Sequence, residues 1–240
     1  PPANYCGRMR GDFLNMSLWM CGNRFGKGLV RPGGVRFPLT DEDRRVLTER
    51  LAELKPQVEH TIDLLFSTSS VRSRFEGCGV VNTPDAEKLG LVGPAGRASG
   101  IAYDARRCFP TEHYPRLDIP ENAEPTGDVY ARAKVRADEV LQSIAIIESL
   151  LGSPIETRCV EDGEFKLAPS SLVVTLNEGW RGELSHCMLT DADAKIMRYK
   201  VKVPSLHNWN GLAMALRDTG ISDFPLNNKS YNLSYCGFDL

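Results

Sequence analysis

The chain contains no C-x-x-C pair, no G-x-S-x-G, no Walker loop and no G-x-G-x-x-G. The first absence disfavours structural zinc, whose ligands come in closely spaced pairs. The others leave no familiar hydrolase or nucleotide site. Seven cysteines, an odd number spread from Cys6 to Cys236, argue against a secreted disulfide framework and for reduced thiols in a cytosolic setting. No apolar run approaches the roughly 18 to 20 residues of a membrane span. The longest candidates, residues 13–21 and 144–151, are interrupted by polar side chains, so any membrane link comes through partners. There is no excess of positive charge either: the formal net charge is -2, with signs interspersed, which removes nucleic acid as a partner. The four histidines, His60, His113, His186 and His207, lack the spacing of a helical metal pair and read as packed or surface groups. Pro1-Pro2-Ala3-Asn4 lacks the layout of a signal peptide and has no initiator methionine, which reads as a fragment or a processed product.

What is present is ordinary for a soluble globular protein: 240 residues, 42% hydrophobic and 25% charged, enough for one large domain or two small ones. The dense apolar residues Phe13, Leu14, Met16, Leu18, Trp19 and Met20 suggest a helix buried on most sides, at the centre of a bundle. It breaks at Arg31-Pro32-Gly33-Gly34. A second helix opens at Thr40, with Asp41, Glu42 and Asp43 at the positive end of its dipole. Val46, Leu47, Leu51, Leu54, Val58, Ile62 and Leu65 follow at helical spacing, with Pro56 a candidate kink. Thr83-Pro84-Asp85-Ala86-Glu87 begins one short turn or helix before Gly90. The stretch 109–125, with Pro110, Pro115, Pro120 and Pro125, is a loop. A long amphipathic helix over 128–151 turns Val135, Val140, Leu141, Ile144, Ile147, Leu150 and Leu151 inward. Beyond Gly152 the pattern alternates, predicting strands at 172–176, 182–190 and 195–202, the last two joined in a hairpin, and then a helix from Pro204 to Arg217. The expected fold is mainly α, a helical bundle core with a small antiparallel sheet toward the C-terminal side. It forms a single domain over 1–240, with 1–152 the helical core and 153–240 the hairpin, C-terminal helix and tail.

Candidate chemistry lies in arginines flanked by glycine or proline: Arg31-Pro32-Gly33-Gly34, Gly93-Pro94-Ala95-Gly96-Arg97-Ala98-Ser99-Gly100 and Trp180-Arg181-Gly182-Glu183. Glycine lets the backbone approach closely while the planar guanidinium grips a carboxylate or other anion. The plainer reading is turn glycines with surface ion pairs; three such motifs in one chain weigh against it.

The run from Gly93 through Asp104-Ala105-Arg106-Arg107, followed by Gly127-Asp128-Val129-Tyr130 and a long helix, resembles the catalytic-core subunit of respiratory NADH:quinone oxidoreductase, complex I, that is homologous to hydrogenase large subunits. It is also similar to the large subunit of membrane-bound nickel-iron hydrogenases of the formate hydrogenlyase type. Arg31 to Val35, Glu178 to Glu183, Arg198-Tyr199-Lys200-Val201-Lys202 with Pro204-Ser205, and the stretch from Phe224 to Leu240 recur in the same order. The resemblance covers the later part of the family's length, so its amino-terminal R-x-C-G-x-C motif falls upstream of Pro1.

The resemblance implies a fold of the nickel-iron hydrogenase large-subunit type and a role in a membrane-associated, complex I-like oxidoreductase that passes electrons from NADH or another donor to quinone. It aligns Ser234 and Gly237 with the two cysteines of the hydrogenases' terminal D-P-C-x-x-C, with Cys236 one residue out of register. Neither serine nor glycine replaces a bridging thiolate, so no metal and no cofactor is expected on this chain. Quinone and NADH then act at the level of the complex and iron-sulfur clusters sit in partner subunits. The partners implied are those iron-sulfur subunits and membrane-arm subunits, which place the chain on the cytoplasmic, inner face of the membrane. Arg181 aligns with the arginine of the family's E-x-P-R-G motif, with Trp180 in place of the proline, and Asp239 aligns with an aspartate near the carboxyl end. The pair Arg181 and Asp239 can hold a quinone headgroup or relay a proton, with Glu183 a further proton carrier. Arg97, Asp104 and Arg106 are candidates for the quinone cavity or a subunit interface. The alternatives are an active nickel-iron hydrogenase large subunit and a non-catalytic scaffold derived from one.

Overall fold

Thr40 starts its helix as the sequence predicts. Its Oγ1 accepts from the Asp43 N–H at 3.1 Å while the Asp43 carboxylate accepts from the Thr40 N–H at 2.8 Å, so two backbone donors without helical partners are satisfied reciprocally at the head of α2 (Asp41–Ser67). A computed structural model of the protein describes residues 2–111, 114–153, 158–160 and 166–236. The chain divides into two compact units, Pro1–Ser69 with Val140–Phe165, and Ser70–Glu139 with Lys166–Leu240.

In the first unit α1 (Pro2–Cys21) packs along α2. Met9, Met16, Leu47, Leu51, Leu54 and Val58 are buried there together with Ile144. The expectation of a helix buried on most sides does not hold for α1 within this unit. Only Met9 and Met16 are buried, while Tyr5, Leu18 and Trp19 stay more than two fifths exposed. One neighbouring helix covers one face, and dense apolar residues spill past it. Pro56 sits inside α2, which runs on through it. α1 ends at Cys21, with Gly22 at φ 72°, well before the expected break, and Pro32-Gly33 instead turns a tight antiparallel hairpin of β1 (Val30–Arg31) and β2 (Gly34–Val35), with Gly33 at φ 87°.

The second unit holds the motifs. It contains most of α3 (Ser69–Phe75) and all of α4 (Thr83–Leu89), which Asn82 caps through Asp85 N–H at 2.9 Å and Gly90 ends in the left-handed region at φ 66°. Next come α5 (Gly93–Arg97), α6 (Ala105–Cys108) and the first half of α7 (Val129–Leu151). A three-stranded antiparallel sheet follows, β3 (Leu172–Gly179), β4 (Gly182–Thr190) and β5 (Ile196–Lys202), with β4 central, and then α8 (Pro204–Ala215) and α9 (Phe224–Tyr231). The predicted hairpin is the β4–β5 half of this sheet. β3 runs three residues further than predicted, because its pairing continues through Glu178 opposite Glu183 and Gly179 opposite Gly182. The core gathers Val81, Ala86, Leu91, Ala95, Leu212, Ala215, Tyr231 and Leu233. Along α7, Val135 and Ile144 are buried as expected, but Val140 and Ile147 are 44% and 42% exposed. Seven residues apart, these two share one side of the helix, and the apolar stripe is wider than the face that packs.

Candidate functional site

Two glycines set the position of the Trp180-Arg181 turn. Gly182, at φ 126°, and Gly93, at φ 65°, press their backbones together: a Cβ on Gly93 would strike Gly182 Cα and the Arg181 carbonyl, and one on Gly182 would lie 2.8 Å from Gly93 N. Asn208, 2% exposed on α8, locks the contact. Its Oδ1 accepts from Val92 N–H at 3.0 Å, and its Nδ2 donates to the Val92 carbonyl at 3.1 Å and to the Arg181 carbonyl at 3.5 Å. The start of α5 and the β3–β4 turn are thereby held as one piece.

From that piece two charged regions diverge. Arg97, 3% exposed at the end of α5, donates through Nε to Glu139 at 2.7 Å and through Nη1 to Glu178 at 3.0 Å and to the Tyr103 carbonyl at 2.9 Å. Asp104 lies 3.6 Å from the same guanidinium and takes Nη2 of Arg106 at 2.6 Å and its Nε at 2.9 Å. Burial raises the Asp104 carboxyl, but the Arg106 hydrogen bond and the Arg97 charge outweigh it and hold the group below its ordinary range. Glu178 goes the other way. Burial pushes its carboxyl up and Asp104 adds to the push, against Arg97 and a 3.1 Å hydrogen bond from Ala105 N–H. Three carboxylates around two guanidiniums leave the knot with excess negative charge. Glu178 and Arg106 also line a cleft of about 80 Å³, room for several waters. Opposite Glu178 in the sheet, Glu183 accepts from the Tyr103 hydroxyl, whose acidity is suppressed by burial and by that carboxylate.

The other region is cationic. Arg181 donates through Nε to the Asn232 carbonyl at 2.5 Å, and its guanidinium carbon sits 4.9 Å from the centre of the Trp180 ring. The same ring carries Arg136 of α7 at 5.6 Å. Arg136 donates to the carbonyls of Arg132 and Tyr231 at 3.1 and 3.0 Å, but its buried Nε has no partner among the described residues. Burial, helped by the nearby Arg132 and Arg181, draws Arg136 down to about 10, still charged at neutral pH. One turn earlier, Arg132 is wholly buried and donates to the Gly127 and Gly79 carbonyls, Asn227 and Ser230, with the Tyr231 ring 4.4 Å away.

The structure therefore brings Arg97, Asp104 and Arg106 into one ion network, with Glu183 across the sheet from its member Glu178, and sets Arg181 on the far side of the turn. Asp239 lies outside the described residues. Ser234, at one of the two ligand positions implied by the resemblance, accepts from Cys236 N–H through Oγ at 3.3 Å, and its own N–H donates to Ser205. Gly237 also lies outside the described residues. Among the described residues, no group of three or more His, Cys, Asp or Glu is placed to hold a metal ion. Sequence reasoning missed Arg132, Arg136 and Glu139 as site residues. Their spacing of four and then three residues was a usable signal, since it puts three charges on one side of α7 beside the buried Val135.

A helical core with a small three-stranded antiparallel sheet is a fold shared with a subunit of a respiratory membrane complex. The solved structure of an archaeal respiratory membrane complex, the membrane-bound sulfane sulfur reductase, has a chain that superposes with a TM-score of 0.87 at 28% identity, over 99% of this chain and 65% of that one. Residues 1–166 match the family described as respiratory-chain NADH dehydrogenase, 49 Kd subunit, and the chain belongs to that family. It is 35% identical over 211 residues to the carbon monoxide-induced hydrogenase of Rhodospirillum rubrum, covering 85% of this chain and 57% of that protein. It is 28% identical over 250 residues to NADH-quinone oxidoreductase subunit 4 of Thermus thermophilus, covering 92% and 61%. The chain thus spans less than two thirds of the length of each. No described helix is long and apolar enough to cross a membrane.

Proposed function

We propose that this chain is part of a subunit of a membrane-associated, complex I-like oxidoreductase. In this reading it helps carry electrons from iron-sulfur partner subunits to a quinone, with NADH or another donor upstream, and has no nickel-iron centre of its own. Its place is peripheral, on the cytoplasmic face, held there by membrane-arm subunits. The observation that carries the reading is Ser234: a hydroxyl engaged with backbone stands where a bridging thiolate is needed. Nickel and iron take soft sulfur donors at such positions, so the donor set does not fit that centre.

Arg181 is then the residue that faces the quinone headgroup, with Asp239 as its carboxylate counterpart, and Glu183 with Tyr103 passes protons along the sheet edge. Arg97, Asp104 and Arg106 form the charged wall behind the cavity. Quinone reduction by the complex purified with its native partners, compared between the natural protein and Arg181→Ala, tests this. A loss of about tenfold or more is expected if a charged hydrogen bond to the headgroup is removed, and an unchanged rate refutes the role. The similarity to a carbon monoxide-induced hydrogenase supports a second reading, an energy-converting hydrogenase. Metal analysis of the same complex separates the two: about one nickel per chain makes it a hydrogenase with an unforeseen ligand set. A stoichiometric but inert assembly without nickel makes it a scaffold.

A further inference from the structure

Arg136 and Arg181 share the Trp180 ring, and neither has a carboxylate within ion-pair distance among the described residues. Other buried or half-buried arginines of this unit are neutralised or saturated: Arg97 by three carboxylates, Arg106 by Asp104, and Arg132 by four oxygen acceptors and a ring. Arg136 differs, with a buried Nε that has no acceptor among the described residues and a second guanidinium near enough to depress it. Like charges gathered on one indole, with a donor left unused, cost free energy unless an anion offsets them. Trp180 is 56% exposed, so the pair is reachable from outside this unit.

We infer that the Trp180 turn is an anion-receiving site in which Arg181 and Arg136 hold a carboxylate. This rests on the reading of Arg181 as a cavity arginine and names the chemistry it takes. The planar guanidinium fork matches a carboxylate in shape. A flat monoanion carried on an apolar stem can also lie against the exposed indole. The carboxylate comes either from the chain's own Asp239 or from outside the chain, and the two sources share one chemistry.

The test uses the whole 240-residue chain and needs no turnover. Emission from Trp180, isolated by subtracting the Trp180→Phe protein, is followed while acetate or formate replaces chloride at constant ionic strength. A saturable change is expected, weakened about tenfold or more in Arg136→Gln and in Arg181→Gln. If the response appears only in Asp239→Asn, the chain's own carboxylate holds the site; if it is the same with and without that change, the ligand is external. Circular dichroism of each variant separates loss of the site from loss of the fold. Three results overturn the inference: no response in the natural chain or in Asp239→Asn, an equal response in folded variants lacking either arginine, or tighter binding of inorganic phosphate than of acetate. Because Arg136 has no assigned part in quinone reduction, a failure here leaves the electron-transfer reading standing, and a failure of that reading leaves this binding result intact.

Discussion

Gly93 and Gly182 meet backbone to backbone, both at positive φ, with no space for a methyl group on either. This contact fixes how far the Arg181 turn stands from α5.

Gly182→Ala combines a strained φ with overpacking, and the expected destabilisation is about 2 to 4 kcal/mol. Gly93→Ala should behave alike. Gly11→Ala, in α1 where an added Cβ meets nothing within 4 Å, should instead stabilise by about 0.5 to 1 kcal/mol. Urea denaturation of the three variants measures the contrast, and equal effects at Gly11 and Gly182 would dismiss the backbone contact as a determinant.

Glu178 and Asp104 predict opposite pH trends. The folded protein raises the Glu178 carboxyl above its ordinary 4.5, so its charged form is disfavoured: the stability of the natural protein relative to Glu178→Gln falls as pH rises from about that value through the raised one. Asp104 is held below its ordinary 3.8. Its contribution is fully present above that value and is lost as pH falls through the depressed one, so the penalty of Asp104→Asn shrinks in acid. Denaturation midpoints across the acid range report both slopes, and parallel curves for the two variants would contradict the assignment.

Arg132→Leu keeps the stem but strips donors from the buried Gly79 and Gly127 carbonyls and from Asn227 and Ser230. A loss of about 3 to 5 kcal/mol is expected. Arg132→Lys recovers only part of it, since an ammonium lacks the planar fork that reaches these separate acceptors. Thermal melts of both variants check the order, and a lysine variant as stable as the natural chain would refute the fork argument.

Thr40→Ala removes one side of the capping box on α2, for an expected loss of about 1 kcal/mol, recovered in Thr40→Ser. Chemical denaturation reads this directly.

Much of this was legible from residue order because the signals were local. Thr40 with Asp43, Thr83-Pro84-Asp85 with Gly90, and the alternation through β4 each act over a few residues, and each element formed where they lie. The extra length of β3 was hidden because Asn177, Glu178 and Gly179 have poor strand propensity and pair only once Gly182 turns the chain back. The exposure of Leu18 and Trp19 was equally out of reach, since apolar density says that a face is sticky without saying what covers it. As for the site, the glycine beside Arg97 and Arg181 marks two guanidiniums, of which the structure sets Arg97 among three carboxylates. Which carboxylate answers which arginine depends on contacts such as Arg97 with Glu178, 81 positions apart, and no spacing rule extends that far. Arg136 stood in plain view on a helix face that periodicity had already assigned to packing.

Across the hairpin tip, Glu178 and Arg181 stand three residues apart yet belong to opposite electrical neighbourhoods, one crowded with carboxylates and the other with guanidiniums. The turn separates opposite charges over a short span in a partly dry medium, where fields are weakly screened. A charged group brought to the tip meets a directional field, anions drawn toward Trp180 and cations toward Tyr103. That separation is written into backbone geometry by two facing glycines.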